Sequence, residues 1–206
     1  MTVKFLLAKP EEVRKLVSEP YKGKYQNDDN EKVYVAFLEN TVLDAENGLT
    51  NLYLILNEEN EENKIIGVFA LSAASVKFEE LNEDDKSDWK LYEDLTEYPA
   101  VRLDLFLILP PYRGKGFGSQ VLDKLVIFLD GERTSLMGYR YLITLSTSEV
   151  FDQLLLSKSF KPFPVEDVEE FRQNGFYRNT PEDTVKILRK ELKKTGIWFY
   201  LDFGGL

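Results

Sequence analysis

Leu103-Asp104-Leu105-Phe106-Leu107-Ile108-Leu109-Pro110-Pro111-Tyr112-Arg113-Gly114-Lys115-Gly116-Phe117-Gly118-Ser119 decides how this chain is read. The apolar run Leu103 to Leu109 predicts a strand, and the amphipathic stretch that begins at Gln120 predicts a helix, so the glycines lie in the turn between them. Three glycines at alternate positions, Gly114, Gly116 and Gly118, remove side chains from that turn. Successive backbone N–H groups can then converge on a phosphate. The following helix adds the positive end of its dipole, and Arg113 and Lys115 add charge. The turn reads as a pyrophosphate cradle. The plain alternative is a glycine-rich left-handed turn between two elements.

Spacing sorts the cradles. A nucleotide-binding G-x-x-x-x-G-K-S/T loop is absent, because Lys115 stands between glycines. A dinucleotide G-x-G-x-x-G fingerprint fails too, since the order here is G-x-G-x-G, and Asp130 and Glu132 follow no convincing strand end. Arg113 to Gly118 fits R/Q-x-x-G-x-G/A at every fixed position. This stretch resembles the coenzyme A loop of the GNAT acyltransferase superfamily. The resemblance implies an α/β fold, with a mixed, mostly antiparallel sheet splayed at the centre and flanked by helices. It also implies acetyl-CoA as co-substrate, no metal, and direct attack of an amine on the acetyl thioester. Phe106, Leu107 and Ile108 match the strand whose main-chain groups bind the pantetheine arm, and Arg113, Gly114, Lys115, Gly116, Phe117, Gly118 and Ser119 match the pyrophosphate loop. The side chains of Phe106 to Ile108 alone also read as plain core strand.

Leu107 to Tyr112 with the glycine run resembles the type-B histone acetyltransferases more closely. Phe37-Leu38-Glu39 resembles a segment of that family whose glutamate is a candidate base, and Glu149-Val150-Phe151-Asp152-Gln153-Leu154 resembles the helix after its second splayed strand. There are departures. Where that family carries a catalytic Glu-Asp pair, this chain has Ser146-Thr147. Many bacterial members use a tyrosine in an F-Y-x-x-x-G-F run as general acid. The matching positions here are Leu154, Leu155 and Ser159-Phe160, and a second near-match, Phe171 to Phe176, also lacks the tyrosine.

Composition narrows the chemistry further. The 206 residues contain neither cysteine nor histidine, so thiolate nucleophiles, disulfides, Ser-His-Asp catalysis and imidazole bases are excluded. The carboxylates singled out as catalytic candidates are Glu39, Asp104 and Glu149. Asp104 interrupts an apolar strand, and reads as either a substrate-facing group or half of an ion pair. Glu149 directly follows a predicted strand, and also reads as a helix N-terminal charge. Tyr112 reads as packing beside the loop. A net charge of −10 favours a cationic acceptor, an amine or a lysine-bearing peptide, and argues against nucleic acid as a partner. No apolar stretch approaches membrane-spanning length and Met1 to Lys4 has no signal-peptide core, so no membrane partner and a cytoplasmic location are expected.

Along the chain, the reading places one acetyltransferase domain over 1–206, with its core about 33–160 and a C-terminal helix and strand in 161–206. Helices are expected at Lys9 to Val17, from Gln120, about Glu149 to Lys158, and Thr180 to Lys194. Strands are expected at Asn51 to Leu56, Ile65 to Phe78 with a bulge at Gly67, Val101 to Leu109, Tyr141 to Leu145, and Ile197 to Phe203. Val33 to Leu38 fits helix or strand. Tyr21 to Lys32 reads as a loop. Glu79 to Glu97, with nine acids against two lysines, reads as a solvated loop.

Overall fold

The computed structural model describes residues 2–18, 29–59, 62–77, 96–135, 138–163, 181–190 and 196–205. Seven strands form one sheet in the order β1-β2-β3-β4-β5-β7-β6: β1 (Val3–Ala8), β2 (Asn51–Glu59), β3 (Glu62–Lys77), β4 (Glu97–Ile108), β5 (Tyr141–Ser146), β6 (Lys161–Pro162) and β7 (Ile197–Asp202). The helices are α1 (Pro10–Ser18), α2 (Asp29–Glu46), α3 (Phe117–Ser135), α4 (Glu149–Leu156) and α5 (Pro181–Lys190). Among the described residues, no helix is long and apolar enough to cross a membrane. The chain divides into two compact units, residues 1–72 with 103–126, and residues 73–102 with 127–206.

In the first unit, β1 pairs antiparallel with β2 from Val3↔Asn57 to Ala8↔Leu52, and β2 pairs antiparallel with β3. The β2–β3 register shifts where Ile55 faces Gly67 and Leu56 faces Ile65. Ile66 is the extra residue of this bulge, and its carbonyl accepts the Leu109 N–H at the end of β4. One face of these strands carries the core: Leu52, Leu54 and Leu56 of β2, Val68 and Ala70 of β3, and Leu105 and Leu107 of β4 pack with Val13 of α1 and Leu38 and Val42 of α2. Fully burying each such leucine is worth about 1.5–3 kcal/mol. On alternate positions Phe69 stacks flat on Tyr53 (ring centroids 4.8 Å apart, interplanar angle 5°) and meets Phe5 edge-on. At the start of α1, Pro10 takes the first helical position and Glu12 Oε2 accepts the Lys9 N–H, which satisfies a donor the helix cannot.

The second unit is built on β5 and β7, antiparallel from Tyr141↔Asp202 to Ser146↔Ile197, with β6 beyond β7. The Arg140 N–H donates to Pro99 O, which joins the start of β5 to the start of β4, the arrangement of parallel neighbours linked by a helical crossover. Tyr98, Ala100, Tyr141, Ile143, Tyr200 and Val76 form the core of this unit. The Arg140 guanidinium holds both oxygens of Asp202, at 2.7 and 2.6 Å.

Several expectations change at this level. Val33 to Leu38 is helix, part of α2, which starts at Asp29 inside the stretch read as a loop. β1 and β6 were not anticipated. α3 begins at Phe117, three residues before the expected start, so three loop residues, Phe117, Gly118 and Ser119, belong to its first turn. Residues 78–95, most of the acidic stretch, and the near-match Phe171 to Phe176 lie outside the described residues, as do Thr180 and 191–194 of the C-terminal helix.

Candidate coenzyme loop

The alternation of β4 sets up the loop. Leu103, Leu105 and Leu107 are buried, whereas Asp104, Phe106 and Ile108 are half-buried on the alternate positions. One face of the strand is therefore buried and the other partly open. Its last carbonyls are tightly constrained. A Cβ at Gly67 would lie 2.4 Å from Leu107 O and 2.9 Å from Ile55 Cδ1, so only glycine lets β3 approach β4 there.

After Ile108 the chain turns through a short 3-10 segment, Pro110–Tyr112, in which the Tyr112 N–H donates to Leu109 O and the Arg113 N–H to Pro110 O. Gly114 and Gly116 then take left-handed conformations, φ 73° and 77°, on either side of Lys115. A side chain in that region is strained by about 1–2 kcal/mol, which is why glycine stands at both positions. A Cβ on Gly114 would meet nothing within 4 Å, and one on Gly116 only Gln120 Nε2 at 4.0 Å. The space over the loop is open. α3 starts immediately after, and its first N–H groups have no acceptor within the helix. Two left-handed glycines with nothing packed over them, followed by a helix N-terminus, present backbone N–H donors of the kind that bind anions.

Both cations of the loop bond backward. Arg113 Nε donates to Ile108 O at 2.8 Å, and Lys115 Nζ to Pro111 O at 2.8 Å, with the ammonium 6.0 Å from the centre of the Tyr112 ring. Tyr112 meets Phe117 edge-on, with ring centroids 5.9 Å apart, and so packs beside the loop.

The candidate carboxylates divide between the two units. Glu39 is exposed on α2, next to the core residue Leu38. Asp104 is half-buried, and its Oδ2 accepts from Thr50 Oγ1 at 3.0 Å; the same hydroxyl lies 2.9 Å from Leu71 O. Glu39 and Asp104 belong to the first unit and are not brought together, because α2 packs on the Leu105–Leu107 side of β4 and Asp104 alternates with those residues. Glu149 is exposed as the first residue of α4 in the second unit. Ser146, the first residue of the Ser-Thr pair noted in the sequence, is fully buried, and its carbonyl accepts from Arg189 Nη2 at 3.0 Å. Leu155, at the tyrosine position of the bacterial run, is fully buried. Ser159, at the glycine position of that run, is left-handed with φ 64°.

Two features escaped the sequence reading. One is Thr50, which holds Asp104 from 54 residues away. The other is the pairing of Asp152 with Arg189 across α4 and α5. The only signal for the second was an acid, Asp152, set among apolar residues of α4, which demands a partner without naming it.

No family model matches this chain, and no curated protein matches it. Solved structures do. AtaT complexed with acetyl-methionyl-tRNAfMet is similar over 81% of this chain and 91% of that one, with a TM-score of 0.58 at 14% identity. AtaTR bound with acetyl-CoA is similar over 80% of this chain and 89% of that one, with a TM-score of 0.55 at 17% identity. The KacTA–DNA complex is similar over 99% of this chain and 95% of that one, with a TM-score of 0.52 at 12% identity. AtaT and KacT have the GNAT fold.

This chain has the GNAT fold. At these identities the likeness establishes the fold, and it does not extend to the closer resemblance with type-B histone acetyltransferases. One expectation is corrected. The net charge argued against nucleic acid as a partner, yet GNAT-fold structures matching this chain include one with a tRNA and one with DNA. Net charge averages over a whole surface and does not report the local potential that a partner meets.

Proposed function

We propose that this GNAT-fold chain is an acetyl-CoA-dependent N-acetyltransferase acting on a primary amine. The open loop at Gly114 and Gly116, set between β4 and the N-terminus of α3, carries this reading. The backbone of Gly114 to Ser119 would hold the pyrophosphate, and the main chain of Phe106 to Ile108 the pantetheine arm. Acetyl-CoA supplies an activated acetyl thioester; the amine nitrogen forms the new amide as the thiol departs.

The amine must lose a proton, and general-base help is worth on the order of 10²- to 10⁴-fold. Of the three carboxylates, Asp104 has the best case. It shares a strand with the stretch matched to pantetheine binding and is half-buried, with Thr50 Oγ1 3.0 Å from its Oδ2, whereas Glu39 and Glu149 are exposed. Two acceptor classes have support. The likeness to AtaT with acetyl-methionyl-tRNAfMet favours the α-amine of an aminoacyl-tRNA, and the net charge of −10 favours a lysine-bearing basic peptide. Thiol release from acetyl-CoA, followed with charged tRNA, basic peptides and small amines in turn, tests the reading. Acetyl transfer to one class identifies the acceptor. Tight coenzyme binding with transfer to none would make the chain an acetyl-CoA-binding regulatory domain.

A further inference from the structure

We infer that Arg113 is a positioning residue of the coenzyme loop, acting on the anion through the backbone it holds rather than by its own charge. The inference rests on the coenzyme reading of the loop. The guanidinium closes on Ile108 O at 2.8 Å, while the Arg113 N–H donates to Pro110 O at 3.2 Å. One residue is thus tied at side chain and backbone to the stretch that leaves β4, immediately before Gly114 turns left-handed. Lys115 repeats the device one step later, with its ammonium on Pro111 O at 2.8 Å. Each brace spends a cation on a neighbouring carbonyl.

The physical gain is preorganisation. A glycine loop is the most entropically costly segment to order, and freezing it only when the anion arrives subtracts that cost from affinity. A guanidinium pinned to the end of β4 holds the start of the glycine turn against the strand before any ligand is present. The carbonyl it holds belongs to Ile108, one of the residues matched to the pantetheine-binding strand, so the brace also couples the two parts of the coenzyme site.

Two substitutions separate the brace from a charge contact. Arg113→Gln keeps an N–H donor of comparable reach without charge, whereas Arg113→Met keeps length and loses both. Coenzyme A titration at low and raised salt, with amide hydrogen exchange of the ligand-free protein, reads the difference. The expected result is that Arg113→Gln binds within about threefold of the parent with an unchanged salt dependence, while Arg113→Met loses about tenfold or more. Ligand-free Arg113→Met should exchange faster over residues 108–119, and Arg113→Gln should not. Equal losses in both variants with a flattened salt dependence would overturn the inference, since the charge itself would then be the contact. Parent-like exchange and affinity in Arg113→Met would overturn it as well. If the parent binds no coenzyme A, the coenzyme reading fails, and the exchange comparison alone decides whether the brace exists.

Discussion

Asp152 in the first turn of α4 and Arg189 in the last turn of α5 form a two-point ion pair, Nε to Oδ2 at 2.8 Å and Nη2 to Oδ1 at 2.9 Å. The Asp152 side chain is 0% exposed and that of Arg189 14%. Arg189 Nη2 also reaches Ser146 O, so one guanidinium ties the end of β5, α4 and α5 together. Removing one partner leaves the other charge buried and uncompensated. Asp152→Ala is therefore expected to lower stability by about 3–5 kcal/mol, read as a shift of the urea midpoint at unchanged slope. The double substitution Asp152→Leu with Arg189→Met should recover much of the loss, because an apolar pair of similar volume carries no desolvation cost. A double variant as unstable as the single one would show that the pair itself contributes net stability.

Ser159 offers a change in the other direction. It ends α4 in the left-handed region, φ 64°, with the Phe160 N–H returning to Leu155 O at 3.1 Å. Glycine is at ease there, although it also adds freedom to the unfolded chain. Ser159→Gly should raise stability by about 0.5–1 kcal/mol, and Ser159→Val should lower it. Thermal unfolding of the three proteins ranks them.

Gly67 tests the link between the fold and the loop. An alanine there would press on Leu107 O and Ile55 Cδ1, so β3 and β4 must separate. Gly67→Ala should cost about 1–3 kcal/mol. It should also weaken coenzyme A binding by moving the main chain of Phe106 to Ile108. Unchanged affinity in a destabilised variant would detach that stretch from the coenzyme site.

The loop was legible in the sequence because its physics is local. Alternate glycines, an apolar run before them and a helical period after them act within 25 residues, and the structure needs left-handed glycines at two of those positions. The bulge at Ile66 was legible for the same reason, through Gly67 in a strand pattern. Val33 to Leu38 was ambiguous since six apolar residues fit either period, and α2 was decided by the packing of Leu38 and Val42. β1, with Leu6 and Leu7 half or more exposed, has no clean alternation to announce a strand. Asp104 with Thr50 and Asp152 with Arg189 lie 54 and 37 residues apart, contacts that exist only after the chain has folded.

The proton acceptor gives a kinetic prediction. Asp104→Asn should cut turnover by on the order of 10²- to 10⁴-fold while coenzyme affinity stays near the parent's. Glu39→Gln and Glu149→Gln should change turnover little. A large loss in either of those two with none in Asp104→Asn would transfer the role.

The central claim is that Arg113 to Ser119 cradles the pyrophosphate of coenzyme A, and titration of coenzyme A into Gly116→Glu by calorimetry tests it most directly. The new side chain would enter open space, since only Gln120 Nε2 stands at 4.0 Å from the Cβ position. The fold should survive with a backbone strain of about 1–2 kcal/mol, checked by circular dichroism. The carboxylate would stand where the phosphate must lie. Micromolar or tighter binding by the parent and no measurable binding by Gly116→Glu are the expected results. Parent-like affinity in a folded Gly116→Glu protein would contradict it.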